Sequence, residues 1–302
     1  MKHGAIKSSK ETVLITGGTG FLGSHLLKSF LMQNYNIILL KRSFSNTIRI
    51  QEHLNDIISY DIDKIDLKSI FSNHTIDLII HCATDYGRKV VEPLQIIQAN
   101  LVLPLHLLQL TREYGVPLFI NTDTILDKRV NHYSLSKRQF FEWFELCTKE
   151  IICVNIILGH FYGPFDDASK FATHIIHDLL SKKERIALTL GEQKRDFLFI
   201  EDVISAFEVI INTAKNYTPG LYSYEVGSGD RIKIRDFVKH IREFCQNKET
   251  VLDFGALPYR EHEVMEVSID LRAIHKLGWT PKFSLQKGLL QTINVEKNRM
   301  AL

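Results

Sequence analysis

TVLITGGTGFLG, residues 12–23, carries a strand into a helix with almost no loop between them. Thr12 to Thr16 are β-branched or apolar without interruption, the composition of a strand buried on both faces of a parallel sheet. Phe21, Leu22, Leu26, Leu27 and Phe30 then recur at helical spacing, so Gly17, Gly18, Thr19 and Gly20 must form the whole turn. At such a turn the first N–H groups of the helix face an anion, and glycines let a diphosphate approach the backbone. Gly18, Gly20 and Gly23 carry the dinucleotide spacing, and Gly17, Gly20 and Gly23 carry G-x-x-G-x-x-G. Glycine triplets are common in ordinary turns; the strand-to-helix context makes this one a nucleotide site.

Strands and helices alternate outward from this unit. Asn36 to Leu40 reads as a second strand, followed by Lys41, Arg42 and Ser43 with no acidic residue. An acidic side chain there binds a ribose 2′-hydroxyl and basic ones accommodate a 2′-phosphate, so NADP(H) is expected as cofactor. Further strands are expected at 57–60, ending at Asp61, and at 78–81, 118–121 and 151–157. A helix is expected over 94–114, kinked by Pro104. The fold class is therefore α/β, a doubly wound parallel Rossmann sheet. After Gly163 and Pro164 strict alternation ends. The expected division is an NADP-binding domain over 1–164, with later segments crossing back, and a smaller mixed α/β substrate lobe over 165–302.

The 302 residues suffice for a large core, and the net charge of +2 gives no reason to expect nucleic acid or a membrane as partner. The first ten residues, MKHGAIKSSK, lack the apolar segment of a secretory leader, and the apolar run 94–110 is broken by Gln95, Gln98, Asn100, Pro104, His106 and Gln109. Cys82, Cys147, Cys153 and Cys245 form no C-x-x-C pair, which suits reduced thiols and a cytoplasmic location. His174 and His177 share a helix face without an evident third ligand, so no metal is expected.

Tyr133 and Lys137 stand four apart at the start of an amphipathic helix and project from one face. A phenol with a reference pKa near 10 is a poor acid at neutral pH; a nearby ammonium stabilises the phenolate and brings it into range. Tyr133 can then exchange a proton with an alkoxide while hydride moves to or from nicotinamide. Thr122, at the end of the fifth strand, offers a hydroxyl to the reacting oxygen.

With these residues in place the chain resembles the extended short-chain dehydrogenase/reductases, which act mostly on nucleotide-linked sugars. The resemblance spans nearly the whole chain. It rests on Gly17, Gly20, Phe21, Leu22 and Gly23; on Asp61 and Ile62, matching an adenine-contacting pair; on His81, Cys82 and Ala83; and on Asn100, Thr122, Tyr133 and Lys137. Later landmarks are Tyr162-Gly163-Pro164, Arg195-Asp196-Phe197, Val226-Gly227-Ser228-Gly229, Arg260 and Leu277-Gly278-Trp279-Thr280-Pro281. The likeness implies that Ala83 and Asn100 border the cofactor. It implies that Arg195 and Arg260 bind a sugar nucleotide's phosphates, as arginine forks suit, unless salt bridges to Glu192 or Glu263 occupy them. Lys170 would be a further phosphate contact, with Tyr86, Arg88, Asp123 and His160 toward the substrate. In the family two helices, here carrying Leu103 to Leu110 and Phe140, Phe141, Trp143 and Phe144, pair across a two-fold. A homodimer through a four-helix bundle is expected.

Departures from the family pattern narrow the reaction. Dehydratases have an acidic pair after the strand-end threonine; here Asp123 is followed by Thr124. Epimerases retain NAD and carry the acidic residue that Lys41 and Arg42 replace. The phrases HCATDYG at 81–87 and QKRDF at 193–197, and 254–265 with Arg260 and Glu263, are similar to members that use NADPH to reduce the C4 ketone of a CDP-linked 3,6-dideoxy-4-hexulose. Their products, of abequose or paratose type, serve bacterial surface polysaccharide. A reductase for a dTDP or UDP sugar, an NAD-dependent epimerase and a silent NADP-sensing protein remain open.

Overall fold

The computed structural model describes residues 10–87, 92–261 and 263–301. The elements run β1 Thr12–Thr16, α1 Phe21–Met32, β2 Asn36–Lys41, β3 Ile58–Asp61, α2 Leu67–Asn73, β4 Leu78–His81, α3 Pro93–Ile97, a π turn Gln98–Val102, α4 Leu103–Glu113, β5 Leu118–Thr124, α5 His132–Glu145 and β6 Ile152–Leu158. They continue with β7 His160–Tyr162, α6 Phe171–Leu180, β8 Arg185–Leu188, β9 Lys194–Phe199, α7 Ile200–Ala214, β10 Gly220–Val226, β11 Arg231–Lys233, α8 Ile234–Phe244, β12 Val251–Phe254, α9 Arg272–His275 and α10 Leu285–Met300. Two compact units result. One holds the chain to Thr122 with 135–155 and 217–222; the other holds 123–134, 156–216 and the chain from Ser223.

A seven-stranded sheet is ordered β10-β6-β5-β4-β1-β2-β3, the doubly wound arrangement expected. In the first unit Leu14, Ile38, Leu40, Ile79, Phe119 and Cys153 bury one face against α2, α4 and α5. The alternate residues Ile15 and Leu39 meet Leu27 of α1 around Gly18 on the other face.

The segment 93–113 departs from a plain kinked α-helix. Pro104 has no N–H, and its ring crowds the carbonyl four residues back. The chain widens just before it, and the Leu103 N–H donates to Gln98 O, five residues back. The 21-residue run is long and apolar enough to cross a membrane, with mean hydropathy 1.2. Yet Ile96, Asn100, Leu107, Leu108, Leu110 and Thr111 are buried within the unit. It is a core helix.

The second unit has a three-stranded sheet ordered β11-β9-β7 and a parallel pair, β12 with β8. Phe197 of β9 stacks on Phe237 of α8 at 3.7 Å and 6°. Three buried carboxylates fasten distant segments here. Asp196 accepts the Ser228 and Gly229 N–H groups, each at 2.8 Å. Asp202 accepts those of Lys282 and Phe283. Glu296 of α10, 0% exposed, accepts the Phe165 N–H and faces His177 Nε2, both at 2.7 Å, and pairs with Arg299. The sequence reading omits α10, although Ser284 caps it and Leu285, Leu289 and Ile293 carry its spacing.

Candidate active site

The turn after β1 is a cradle with no room for side chains. A Cβ on Gly17 would lie 2.5 Å from Ala83 N, and one on Gly23 would lie 2.2 Å from Gly17 O. Gly17 also adopts φ 70°, which glycine enters freely. α1 begins at Gly20 with no side-chain cap and no acidic residue in its first turn. The first N–H groups of a helix lack intrahelical acceptors, and its dipole favours an anion there. A dinucleotide diphosphate fits this donor set.

At the carboxyl ends of β2 and β3, Lys41 Nζ pairs with Asp61, whose carboxyl is held below its usual range chiefly by that hydrogen bond. Lys41 is thus partly neutralised. Arg42 is exposed, with its guanidinium over the Phe44 ring at 4.8 Å. Asp63, absent from the sequence reading, binds Ser43 through the backbone N–H at 2.7 Å and the hydroxyl at 2.6 Å. The Ile62 N–H donates to Lys41 O, which keeps the two strand ends together.

After β4, Ala83 donates its N–H to Thr16 Oγ1. Asn100 of the π turn is fully engaged: its oxygen accepts the Thr84 hydroxyl and the Asp85 N–H, and its amide donates to Asp85 O and Ser136 Oγ. It therefore fastens the β4 loop to α5 rather than presenting a spare group. Tyr86 in that loop is 40% exposed. Arg88 lies outside the described residues.

Thr122 of β5 donates its hydroxyl to His81 O at 3.0 Å, so its single proton is committed to the backbone. Tyr133 and Lys137 occupy successive turns of α5, and Lys137 is only 1% exposed. A buried lysine is costly and rare. Burial, and then the Lys137 charge, pushes the His81 imidazole well below its usual range.

In the second unit, residues 160, 170 and 195 converge. Burial, then the charges of Arg195 and Lys170, push the His160 pKa from 6.5 down to about 4. Arg195 bonds Glu263 at 2.5 Å and Lys194 O at 2.8 Å, so the salt-bridge alternative is the one observed. Arg260, in the loop that also carries Glu263, is exposed and makes no ion pair among the described residues. Asp123 Oδ1 accepts the Thr124 N–H. Asp63 had no motif to single it out as the holder of a site residue, whereas Glu263 was one of the two partners expected for Arg195.

The sign of the His160 effect is fixed. Below pH 6.5 the unfolded chain takes up a proton that the folded chain refuses until about 4. Its stability contribution is complete above 6.5 and lost as pH falls toward 4. The full window is worth on the order of 3 kcal/mol. Thermal unfolding from pH 7.5 to 4.5 is expected to decline less steeply for His160→Gln. The His81 effect, of the same sign, persists in that variant.

Sheet order and glycine cradle place the molecule among Rossmann-type α/β proteins. The chain belongs to the NAD dependent epimerase/dehydratase family, whose model matches residues 13–227. It is 32% identical over 296 residues to CDP-abequose synthase of Salmonella muenchen, covering 95% of this chain and 98% of that one. UDP-glucose 4-epimerase of Thermotoga maritima, solved with UDP-glucose, superposes with a TM-score of 0.83 at 24% identity, covering 96% of this chain and 99% of that one. The Thermus thermophilus UDP-glucose 4-epimerase complex with NAD gives 0.79 at 19%, covering 94% and 98%. These two likenesses establish the fold along nearly the whole chain.

Proposed function

We propose that the protein reduces, with NADPH, the C4 ketone of a nucleoside-diphosphate-linked deoxy-4-hexulose, the CDP-3,6-dideoxy sugar foremost. The observation that carries this reading is the pair on α5, a tyrosine one helical turn before a buried lysine. The likeness to CDP-abequose synthase over both full lengths supports the substrate. The basic residues after β2 support NADPH, and Thr124 in place of a second acid disfavours dehydration.

When bound, the cofactor supplies hydride to C4. The glycine cradle holds its diphosphate, Arg42 answers the 2′-phosphate, and Asp61 with Ile62 borders adenine. Thr122 turns its hydroxyl from the His81 carbonyl toward the ketone. Tyr133 gives its proton to the alkoxide oxygen, and the Lys137 ammonium stabilises the phenolate left behind. Arg195 exchanges Glu263 for the sugar's diphosphate, with Arg260 and Lys170 as further phosphate contacts.

The test is NADPH oxidation with CDP-, dTDP- and UDP-linked 4-keto-deoxysugars, with the product's C4 configuration assigned by NMR. Rapid oxidation with the CDP-3,6-dideoxy compound is expected. No oxidation with any of them, with NAD retained in the purified protein, would replace the reading with an epimerase.

Because Lys41 is tied to Asp61, Arg42 carries the cofactor preference. Arg42→Ala is expected to weaken NADPH binding about tenfold while changing NADH binding less than about twofold, the loss of one charged phosphate contact. Lys41→Ala should do less. Fluorescence titration with both cofactors decides.

A homodimer belongs to the same proposal. Leu94, Val102, Trp143 and Leu146 leave apolar surface exposed on α3, the π turn and the end of α5. Sedimentation equilibrium is expected to give a dimer that Trp143→Glu converts to monomer; a monomeric wild type would sink the assignment.

A further inference from the structure

In the first unit the mechanism leaves a buried histidine unused. β1, β4, β5 and β6 are neighbours in the sheet, and each carries a polar residue on its core face: Thr16 and His81 at the ends of β1 and β4, Asn121 and Asn155 within β5 and β6. All four are buried to 1% exposure or less. Thr16 is in register with His81, and His81 with Asn121. Two residues inward on each strand the same face is apolar, as at Leu14, Ile79, Phe119 and Cys153. The polar row therefore crosses the sheet toward the carboxyl side of the apolar layer.

One set of directions satisfies every group in the row. The Thr16 hydroxyl accepts the Ala83 N–H at 3.2 Å and lies 2.9 Å from His81 Nδ1. With the hydroxyl proton given to Nδ1, the ring's own proton sits on Nε2. That atom is buried with no hydrogen-bond partner, as is Asn121 Oδ1. One is then a donor and the other an acceptor, on registered residues of strands about 4.8 Å apart. Direct contact after a small rotation, or one shared water, joins them. Asn121 Nδ2 continues the sequence to Asn155 Oδ1 at 2.7 Å.

His81 also touches the site. Its carbonyl receives the Thr122 hydroxyl, and its ring lies 6.1 Å from that of Phe140, three residues after Lys137 on α5. The charged or titratable neighbours acting on the imidazole reduce to Lys137, with the adjacent Cys82 thiol pushed up to about 12 by burial. A protonated ring would add a second buried cation beside Lys137. Thr16, Asn121 and Asn155 do not titrate.

We infer that Thr16, His81, Asn121 and Asn155 form one directional hydrogen-bonded row beside Lys137, in which neutral His81, protonated on Nε2, positions Thr122 and the glycine loop. His81 is a positioning residue: its ring holds Thr16, the last residue before Gly17, and fixes the end of β4, whose carbonyl holds the Thr122 hydroxyl until the ketone takes it. Hydrogen bonds running in one sense polarise one another, so the row holds without a charge.

Nitrogen-15 NMR of histidine-labelled protein, with His81→Gln to assign the resonance, reads the tautomer directly. A neutral Nε2–H ring from pH 8 to 5.5 is expected; an Nδ1–H tautomer or a charged ring at pH 6 overturns the inference. The kinetic arm rests on the ketoreductase reading. His81→Leu is expected to lower kcat at least about twentyfold with KM for the ketosugar within about twofold, and the amide of His81→Gln to restore most of it. Combined with Asn121→Leu, the His81→Leu effect should be less than multiplicative, as for members of one network. Equal losses in the Leu and Gln variants, or multiplicative ones, overturn the positioning role. An inactive wild type with Nε2–H His81 defeats the ketoreductase reading alone.

Discussion

Tyr133→Phe is expected to lower kcat by a factor of about 10²–10⁴, the usual worth of a positioned general acid, while the NADPH dissociation constant stays within about threefold. The change removes one oxygen from the exposed-to-intermediate start of α5 and leaves the buried Lys137 in place. Fold and cofactor cradle should therefore survive. Stopped-flow absorbance of NADPH with the CDP-linked ketosugar measures the first quantity, and fluorescence titration the second. Parallel loss of turnover and NADPH binding would mean that the phenol props up the fold. Lys137→Met should cost a similar factor and also remove the ammonium's influence on the phenol. The pH–rate profile then separates the two variants, because only the lysine change leaves a competent acid whose working pH has moved upward.

Gly17→Ala carries the second large effect. The new Cβ would lie 2.5 Å from Ala83 N and 2.6 Å from Cys82 C, both backbone atoms, and the residue would have to hold φ 70°. Overpacking of this kind costs about 1–3 kcal/mol, and the left-handed conformation adds about 1 kcal/mol. The unfolding midpoint should drop by several degrees. The displaced loop should also lose the stabilisation that NADP⁺ confers on the wild type. Gly115→Ala supplies the control. Gly115 has φ 68° with nothing within 4 Å of the new carbon, so it bears the conformational cost without the collision. Scanning calorimetry with and without NADP⁺ should find a drop of about 1 kcal/mol and an intact cofactor response for Gly115→Ala. Matching behaviour in both variants would mean that the close approach to Ala83 is unimportant.

Local sequence made the glycine cradle legible, because strand, turn and helix are contiguous and each residue's neighbours in space are its neighbours in the chain. β1 and β4 match their expected limits for the same reason. β5 runs on through Thr124, beyond the expected end at Asn121. Composition marks where a strand is buried, and not where its hydrogen bonds cease. Groups that meet only through topology were not legible. Glu296 reaches Phe165 across 131 positions, and the row from Thr16 to Asn155 depends on strand register. The chemistry of Arg195 and its two candidate partners, Glu192 and Glu263, were visible in advance; which of the two holds it was not.

The π turn at 98–102 has a consequence for how the helix can be edited. In counting terms it is one residue inserted into an α-helix. Everything before it is set one step, about 100°, out of phase with everything after it. A chain shortened by one residue here could regain a plain helix only by turning Asn100 off the β4 loop or Leu107 and Leu108 off the sheet. Length in this segment is therefore as constrained as composition, and substitutions at its exposed positions, such as Leu94 and Val102, should be tolerated where single deletions are not.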